Sequence, residues 1–332
     1  MKKKYNVAIL GIRGAVGQSF YQILKQRNFP INELKLLSSS LEDGKKAFLD
    51  GIPIERVNKG SFKGVDIGLF SPGAEISKIW APIAAQSGCV VIDNTSQFRM
   101  DKDVPLVVPE VNPEDVAKHK GIIANPNCST IQMVVALKPL HDYGKIKRVV
   151  VSTYQSVSGA GSEAIEELRK QAHDARLPPK KFAHPIAFNL IPQIDVPQPN
   201  FYTKEEMKMA HETQKIMHDK NIKVTATCVR VPVFFAHSES VNVETVKKIT
   251  RAKAIALLKK AKGVKVVDDL FRSVYPLPLS AAGTDHTFVG RIREDESIKN
   301  GLNLWVVSDN IRKGAALNAI QIAEELIRRK LM

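Results

Sequence analysis

The stretch NVAILGIRGAVGQSFYQIL, residues 6–24, restricts the fold more than any other part of the chain. An apolar run ends at Gly11, glycines recur at Gly14 and Gly17, and apolar residues then follow at helical spacing at Val16, Phe20, Ile23 and Leu24. A strand feeding directly into a helix through a GxxGxxG turn predicts the first β–α unit of a parallel sheet. Glycines there permit a tight turn and let a phosphate approach the free N–H groups of the helix N-terminus. A dinucleotide is the expected ligand of Gly11, Arg13, Gly14, Ala15 and Val16; a merely structural glycine turn is the alternative.

The alternation continues. ELKLLSSS, VDIGLFSP and CVVIDNT read as strands, EISKIWAPIAAQSG as an amphipathic helix, and PLVVPEVN and GIIANPNC as the last strands of this part. That pattern predicts a Rossmann-type α/β domain. From KRVVVSTYQSVSG onward the character changes to an α+β mixture. Long strands are expected at KVTATCVRVPVFF and LNLWVVSDN, helices at STIQMVVALKPLHDYG, GSEAIEELRKQAHDA and VETVKKITRAKAIALLKKA, and an irregular path at PIAFNLIPQIDVPQPN. With 332 residues the chain is long enough for two cores. The expected division is residues 1–126 with a returning C-terminal helix, 310–332, and a second domain over 127–309.

The end of the second strand bears on which dinucleotide binds. An NAD site usually places Asp or Glu there, on the ribose hydroxyls. Here the residues are Ser38, Ser39 and Ser40, whose hydroxyls can donate to a 2′-phosphate, with Arg13 as a nearby cation. NADP is therefore expected ahead of NAD. Glu42 works against that preference, and a solvated serine turn is the alternative.

Of three cysteines, Cys89 and Cys228 lie in β-rich apolar contexts, where a thiol packs as a small hydrophobe. Cys128, in ANPNCSTIQM, has polar neighbours on both sides and precedes an expected helix. A helix N-terminus stabilises a thiolate, the nucleophilic form. Asn127 and the first-turn amides can donate to an oxyanion at an attacked carbonyl. A reactive cysteine beside a nicotinamide suggests thiolate addition to an aldehyde, hydride loss to leave a thioester, and release by phosphate.

The net charge of +15 is dispersed, without zinc-finger spacing or an aromatic-rich RNA motif, so it suits anionic substrates better than nucleic acid. No apolar run is long enough to span a membrane. The apolar stretch after the basic N-terminus breaks at Gly11 and reads as a strand, not a secretory signal, which makes the cytoplasm the expected location. The eight histidines lack partners at metal-ligand spacing, and no metal is expected.

The segments NTSQFRMD, VVPEVN, NPNCST, YQSVSGAG, IPQID, HETQKIM, CVRVPVFFAHSESV and SDNIRKGAALNAIQIAE, with the glycine loop, resemble the aspartate-β-semialdehyde dehydrogenase family from end to end and in order. The resemblance implies reversible, NADPH-dependent reductive dephosphorylation of aspartyl phosphate to aspartate semialdehyde, at the branch to lysine (through diaminopimelate), threonine and methionine. It implies that Cys128 is the acyl-thioester nucleophile, His237 the general acid/base, and Gln155 the amide orienting intermediate and substrate. Arg230 matches the clamp on the substrate α-carboxylate and Glu212 the contact to its amine. Arg99 and Lys215 match the phosphate-binding cations, with Asn127 beside them. Ser158 and Gly159 match a loop near the nicotinamide, with Asn310 a further contact. A homodimer, sometimes a tetramer, is the implied assembly. One departure is Leu41-Glu42, where many members carry an Arg-Ser pair on the 2′-phosphate. The rival readings are an N-acetyl-γ-glutamyl-phosphate reductase-like enzyme and a non-catalytic nucleotide-binding paralogue.

Overall fold

The computed structural model describes residues 3–41 and 46–332, so Glu42 of the cofactor argument lies outside the described residues. The chain forms two compact units, Met1–Pro126 with Ala315–Met332, and Asn127–Gly314.

The first unit is built on β1 (Tyr5–Leu10), α1 (Ala15–Gln26), β2 (Ile31–Ser38), β3 (Ala47–Leu49), β4 (Ile52–Arg56), β5 (Ile67–Phe70), α2 (Ala74–Gln86), β6 (Val90–Asp93) and β7 (Ile122–Ala124). Its seven-stranded sheet has the order β3-β4-β2-β1-β5-β6-β7. All pairings are parallel except the β3–β4 edge hairpin. Alternate residues of each strand enter different cores, as a period of two requires. Val7, Ile9, Leu36 and Leu69 pack with Phe20, Ile23 and Leu24 of α1 and with Leu317, Ile320 and Ile322 of the C-terminal helix (Leu317–Arg328). Ala8, Leu10, Leu37 and Phe70 pack with Ala81 and Ala84 of α2. Both faces are thus covered, which explains the near-continuous apolar strands. Burial of each large side chain of the C-terminal helix contributes about 1.5–3 kcal/mol.

PLVVPEVN is not a strand. Only Leu106 bridges Ala124, because Pro105 and Pro109 lack ladder donors and the chain turns at Val108–Asn112. Strand order reverses between β1 and β5, the topological switch point where such sheets bind ligands.

The second unit contains α3 (Cys128–Gly144), β8 (Ile146–Gln155), α4 (Ser162–His173), α5 (Lys204–Ile216), β9 (Lys223–Arg230), β10 (His237–Thr245), α6 (Arg251–Lys260), β11 (Val264–Val266), α7 (Pro278–Ala281), β12 (Thr287–Asp295) and β13 (Gly301–Ser308). Its six-stranded mixed sheet has the order β11-β12-β13-β10-β8-β9. Three sequence expectations shift here. The strand through KVTATCVRVPVFF stops at Arg230, before Pro232. VETVKKIT is not helical: β10 runs through Thr245, and α6 starts only at Arg251, capped by Thr250. Cys128 is the first residue of α3, not a residue preceding it. The helix α3 is buried on nearly all sides, polar Ser129, Thr130, Gln132 and His141 included. The segment expected to be irregular, residues 185–200, carries no helix or strand. No helix among the described residues is long and apolar enough to cross a membrane.

Candidate active site

Sheet register brings separated sequence segments to one edge of the second unit. The parallel pair β8–β9 sets Gln155 opposite Arg230, where both strands end. The antiparallel strand β10 begins at that edge with His237, which lies opposite Ser308 at the end of β13. Asn310 follows two residues later.

Asn127 is the N-cap of α3, and its Oδ1 accepts from the Ser129 and Thr130 N–H groups at 3.0 and 3.2 Å. An Asn cap satisfies N–H groups that a helix start would otherwise leave open. The cap is itself held by two carboxylates of α5. Its main-chain N–H donates to Glu212 Oε2 at 2.7 Å, and its Nδ2 donates to Glu205 Oε1 at 2.8 Å. Gln155 Nε2 donates to the same Glu205 oxygen at 3.2 Å. Glu205 Oε2 pairs with Lys208 at 3.0 Å. Burial alone would raise the Glu205 pKa, but Lys208, Asn127 and Gln155 outweigh it and the net shift is downward. Cys128 is half-buried at the head of this assembly, with Gly314 so close that a Cβ there would lie 2.9 Å from the Cys128 Cβ. The Ser129 and Thr130 hydroxyls are buried and turned away from solvent.

His237 is fully buried. Its Nδ1 receives the main-chain N–H of Ser156 at 3.1 Å and lies 3.0 Å from Ser156 Oγ. Behind it, Asn310 Oδ1 accepts from Ser156 Oγ and Ala236 N at 3.0 Å each and from Ser158 Oγ at 3.2 Å. Burial, then the Arg230 charge, pushes the His237 pKa well below its ordinary value. Arg230 is buried; its Nη1 donates to Ser156 O at 2.7 Å, and its guanidinium stands 6.0 Å from the Phe182 ring centre. Burial pulls its pKa down. No carboxylate of the described residues pairs with it, which leaves donors for an anion. The Arg230 charge and Cys128 are within electrostatic reach of each other. Gly159 packs against both groups: a Cβ there would lie 3.1 Å from Arg230 Nη1 and 3.3 Å from His237 Nε2.

Cys128, Asn127, Gln155, Glu212, Arg230, His237, Ser158, Gly159 and Asn310 therefore belong to one connected region of this unit. Lys215 is half-buried on α5, three residues after Glu212. Arg99 lies in the first unit, buried, with Nε on Asn125 O at 2.9 Å and Nη2 on Asn94 O at 3.0 Å. Glu205 and Ser156 escaped the sequence reading. Glu205 sits in a helix among other charged residues, and Ser156 acts partly through its main chain, which carries no residue signature.

In the first unit, Gly11 has φ +95°, and a Cβ there would lie 2.6 Å from Ser71 O; a Cβ on Gly17 would lie 2.2 Å from Gly11 O. Glycine is thus required at both positions. Gly14 caps α1 without a side-chain hydrogen bond, and Gly14, Ala15 and the Arg13 side chain are exposed. Arg13 Nη1 reaches Ser40 O at 3.3 Å and Ser40 Oγ at 3.5 Å, and Ser38 Oγ lies 3.3 Å from Ser40 Oγ. An uncapped helix end beside an Arg–Ser cluster fits a dinucleotide with an additional phosphate.

A parallel nucleotide-binding sheet joined to a mixed-sheet unit carrying a cysteine and a buried histidine defines an α/β oxidoreductase. Sequence models of the semialdehyde dehydrogenase NAD-binding domain and dimerisation domain match residues 6–119 and 137–313. The aspartate-semialdehyde dehydrogenase of Aquifex aeolicus is 57% identical over 99% of both chains. The Vibrio cholerae aspartate semialdehyde dehydrogenase II, solved in complex with ASA, is 50% identical with a TM-score of 0.94, covering 98% of this chain and 99% of that one. The Candida albicans aspartate semialdehyde dehydrogenase, solved with NADP, is 25% identical with a TM-score of 0.78, covering 99% and 100%. The chain belongs to the aspartate-semialdehyde dehydrogenase family.

Proposed function

We propose that the protein catalyses the reversible, NADP-linked conversion of aspartate semialdehyde and phosphate to aspartyl phosphate through a thioester on Cys128, and that it runs as reductive dephosphorylation in lysine, threonine and methionine biosynthesis. The observation that carries this reading is the placement of Cys128 at the first position of a helix whose cap is held by two buried carboxylates. The first-turn N–H groups and the helix dipole favour an anion there. Arg230 supplies a planar, two-pronged donor for the substrate α-carboxylate. Glu212 is the partner for the substrate amine, Arg99 and Lys215 the cations for phosphate, and Gln155, tied to Glu205, orients the acyl group.

Gly11, Gly14, Ala15 and Val16 would hold the cofactor pyrophosphate, Arg13 with Ser38, Ser39 and Ser40 the 2′-phosphate, and Ser158, Gly159 and Asn310 the nicotinamide side. When bound, NADP supplies the hydride acceptor. The NADP carried by the Candida structure supports this choice over NAD. The match to a dimerisation domain supports a homodimer or tetramer. A cytoplasmic location and an absence of metal, nucleic-acid and membrane partners complete the proposal.

The test is a spectrophotometric assay. Purified protein given aspartate semialdehyde, phosphate and NADP⁺ is expected to form NADPH, and Cys128→Ala to form none. Equal turnover by Cys128→Ala would sink the mechanism, and faster turnover with NAD⁺ would reverse the cofactor assignment.

A further inference from the structure

Helix α5 opens with two adjacent carboxylates that do different work. Glu206 completes a capping box with Thr203: its Oε2 accepts from Thr203 N at 2.7 Å and its Oε1 from Cys228 N at 2.9 Å. Glu205 faces the Asn127 cap, with Lys208 one turn further along the same helix. Lys208 Nζ stands between two carboxylates, 3.0 Å from Glu205 Oε2 and 2.8 Å from Asp195 Oδ2. Asp195 belongs to the irregular segment, at φ +69°. Its Oδ1 accepts from Val196 N at 2.9 Å, so Oδ2 is the oxygen offered to the lysine. Val196 O accepts from Lys204 N at 2.8 Å and ties the segment to the start of α5. Four residues before Asp195, Ile191 pairs its main chain with that of Arg230, at 3.0 and 2.8 Å. One irregular stretch thus touches Arg230 directly and, through Lys208, the Glu205 that holds Asn127 and Gln155.

We infer that Lys208 is a positioning residue for the nucleophile: it fixes the Glu205 carboxylate that seats Asn127 and Gln155, and Asp195 of the irregular segment fixes Lys208. The inference rests on Cys128 as the nucleophile. Glu205 Oε1 serves two amide donors, so the plane of the carboxylate decides where Asn127 and Gln155 stand. Lys208 holds Oε2 and so sets that plane.

Charge acts in the same sense. A carboxylate beside the first turn of α3 opposes a thiolate at Cys128, and an ammonium 3.0 Å from that carboxylate offsets its field. Burial would lower the Lys208 pKa, but Glu205 and Asp195 outweigh it and the net shift is upward. Burial would raise Asp195, but Lys208 and the Val196 N–H outweigh it and the net shift is downward. Lys208 is therefore a cation between two anions at neutral pH. The other charged groups facing this chain are Lys204 toward Asp195, Arg230 toward Glu205, and Glu212 on the Asn127 N–H.

Lys208→Met removes the charge and keeps most of the stem. The kcat for NADPH formation is expected to fall about tenfold, with KM for aspartate semialdehyde changed less than about threefold, and Lys208→Arg is expected to recover most of the loss. The deciding comparison is a double-mutant cycle, in which Lys208→Met should cost nothing further in a Glu205→Gln background. An equal fold-loss in both backgrounds, or a Lys208→Arg enzyme as slow as Lys208→Met, would overturn the inference. Asp195→Ala should slow the wild type and leave Lys208→Met as it is; the same factor in both would overturn the part given to Asp195. A further readout needs no substrate. Cys89 and Cys228 are buried, and burial pushes both thiols up, Cys89 to about 12, so iodoacetamide reads Cys128 in the folded protein. The pH midpoint of alkylation should rise by about half a unit in Lys208→Met and hold in Lys208→Arg. An unchanged midpoint in Lys208→Met would overturn the inference. A wild type without turnover, with these midpoints as expected, would instead fail the proposed reaction and leave the role of Lys208 standing.

Discussion

Replacing Glu205 by alanine should damage both stability and catalysis, and the size of the loss follows from its contacts. One carboxylate oxygen takes hydrogen bonds from the N-cap Asn127 and from Gln155; the other pairs with Lys208. Hydrogen bonds to a charged group contribute about 1.5–3 kcal/mol each, and breaking a buried pair costs about 3–5 kcal/mol. Lys208 keeps Asp195 at 2.8 Å and is not stranded, which argues for the lower end. A loss of about 3 kcal/mol is more than two decades in the folding equilibrium, or roughly 6–12 °C in Tm for a unit of this size. Because Asn127 and Gln155 lose a common acceptor, kcat should fall by about 10- to 100-fold, with a smaller change in KM. Glu205→Gln should lie between wild type and Ala, since one amide face must oppose a donor. The pH dependence has a defined sign. The folded carboxylate titrates below its unfolded counterpart, so its stabilisation is present above the unfolded pKa and fades as pH falls through the folded one. The Tm gap between wild type and Glu205→Ala should therefore close in acid. A gap under about 2 °C at pH 7, or one that widens as the pH drops, refutes the reasoning.

Glu239 gives the opposite sign. It is fully buried, and burial pushes its pKa well above the ordinary range, with the Gln132 side chain opposing. Glu239→Gln should be more stable than wild type above the unfolded pKa, by up to about 1.4 kcal/mol per pH unit until the folded pKa is reached. Denaturant curves at pH 5, 7 and 9 that show a constant difference would contradict this. Arg230→Lys should raise the KM for aspartate semialdehyde with little change in kcat, since an ammonium cannot reproduce the two-pronged fork; matching KM values would refute the clamp. Gly17→Ala would bring a Cβ to 2.2 Å from Gly11 O. It should destabilise by about 1–3 kcal/mol and weaken NADPH binding in a fluorescence titration; unchanged affinity would mean that the loop does not shape the site.

The first unit was legible in the sequence because its signals are local. Gly11 needs a positive φ and Gly17 a missing Cβ, and both constraints leave glycines in the sequence. Continuous apolar runs such as YNVAIL mark strands covered on both faces. Where local signals conflict with tertiary context they mislead: Pro105 and Pro109 break an apolar run that otherwise reads as a strand, and VETVKKIT is split between strand and irregular chain despite a helical spacing. The candidate site was visible only where a residue type is unusual for its setting, as with Cys128 among polar neighbours. Glu205 and Ser156 looked ordinary, because their importance lies in what they face.

The site's geometry is set by sheet register more than by any single contact. In the parallel β8–β9 pair Gln155 stands opposite Arg230, and in the antiparallel β8–β10 pair Tyr154 stands opposite Ser238, which follows His237. A slip of one residue in β9 would turn Arg230 to the other face and strand a guanidinium that now donates to Ser156 O. A slip of β10 would separate His237 Nδ1 from the Ser156 N–H that donates to it. Both strands carry buried apolar residues two positions apart, Val241 and Val243 on β10, Ala226 and Cys228 on β9. Either slip would therefore expose core residues as it dismantled the site. Hydrophobic alternation that stabilises the sheet is thus also what holds His237, Arg230 and Gln155, from three distant segments, at one edge beside the head of α3.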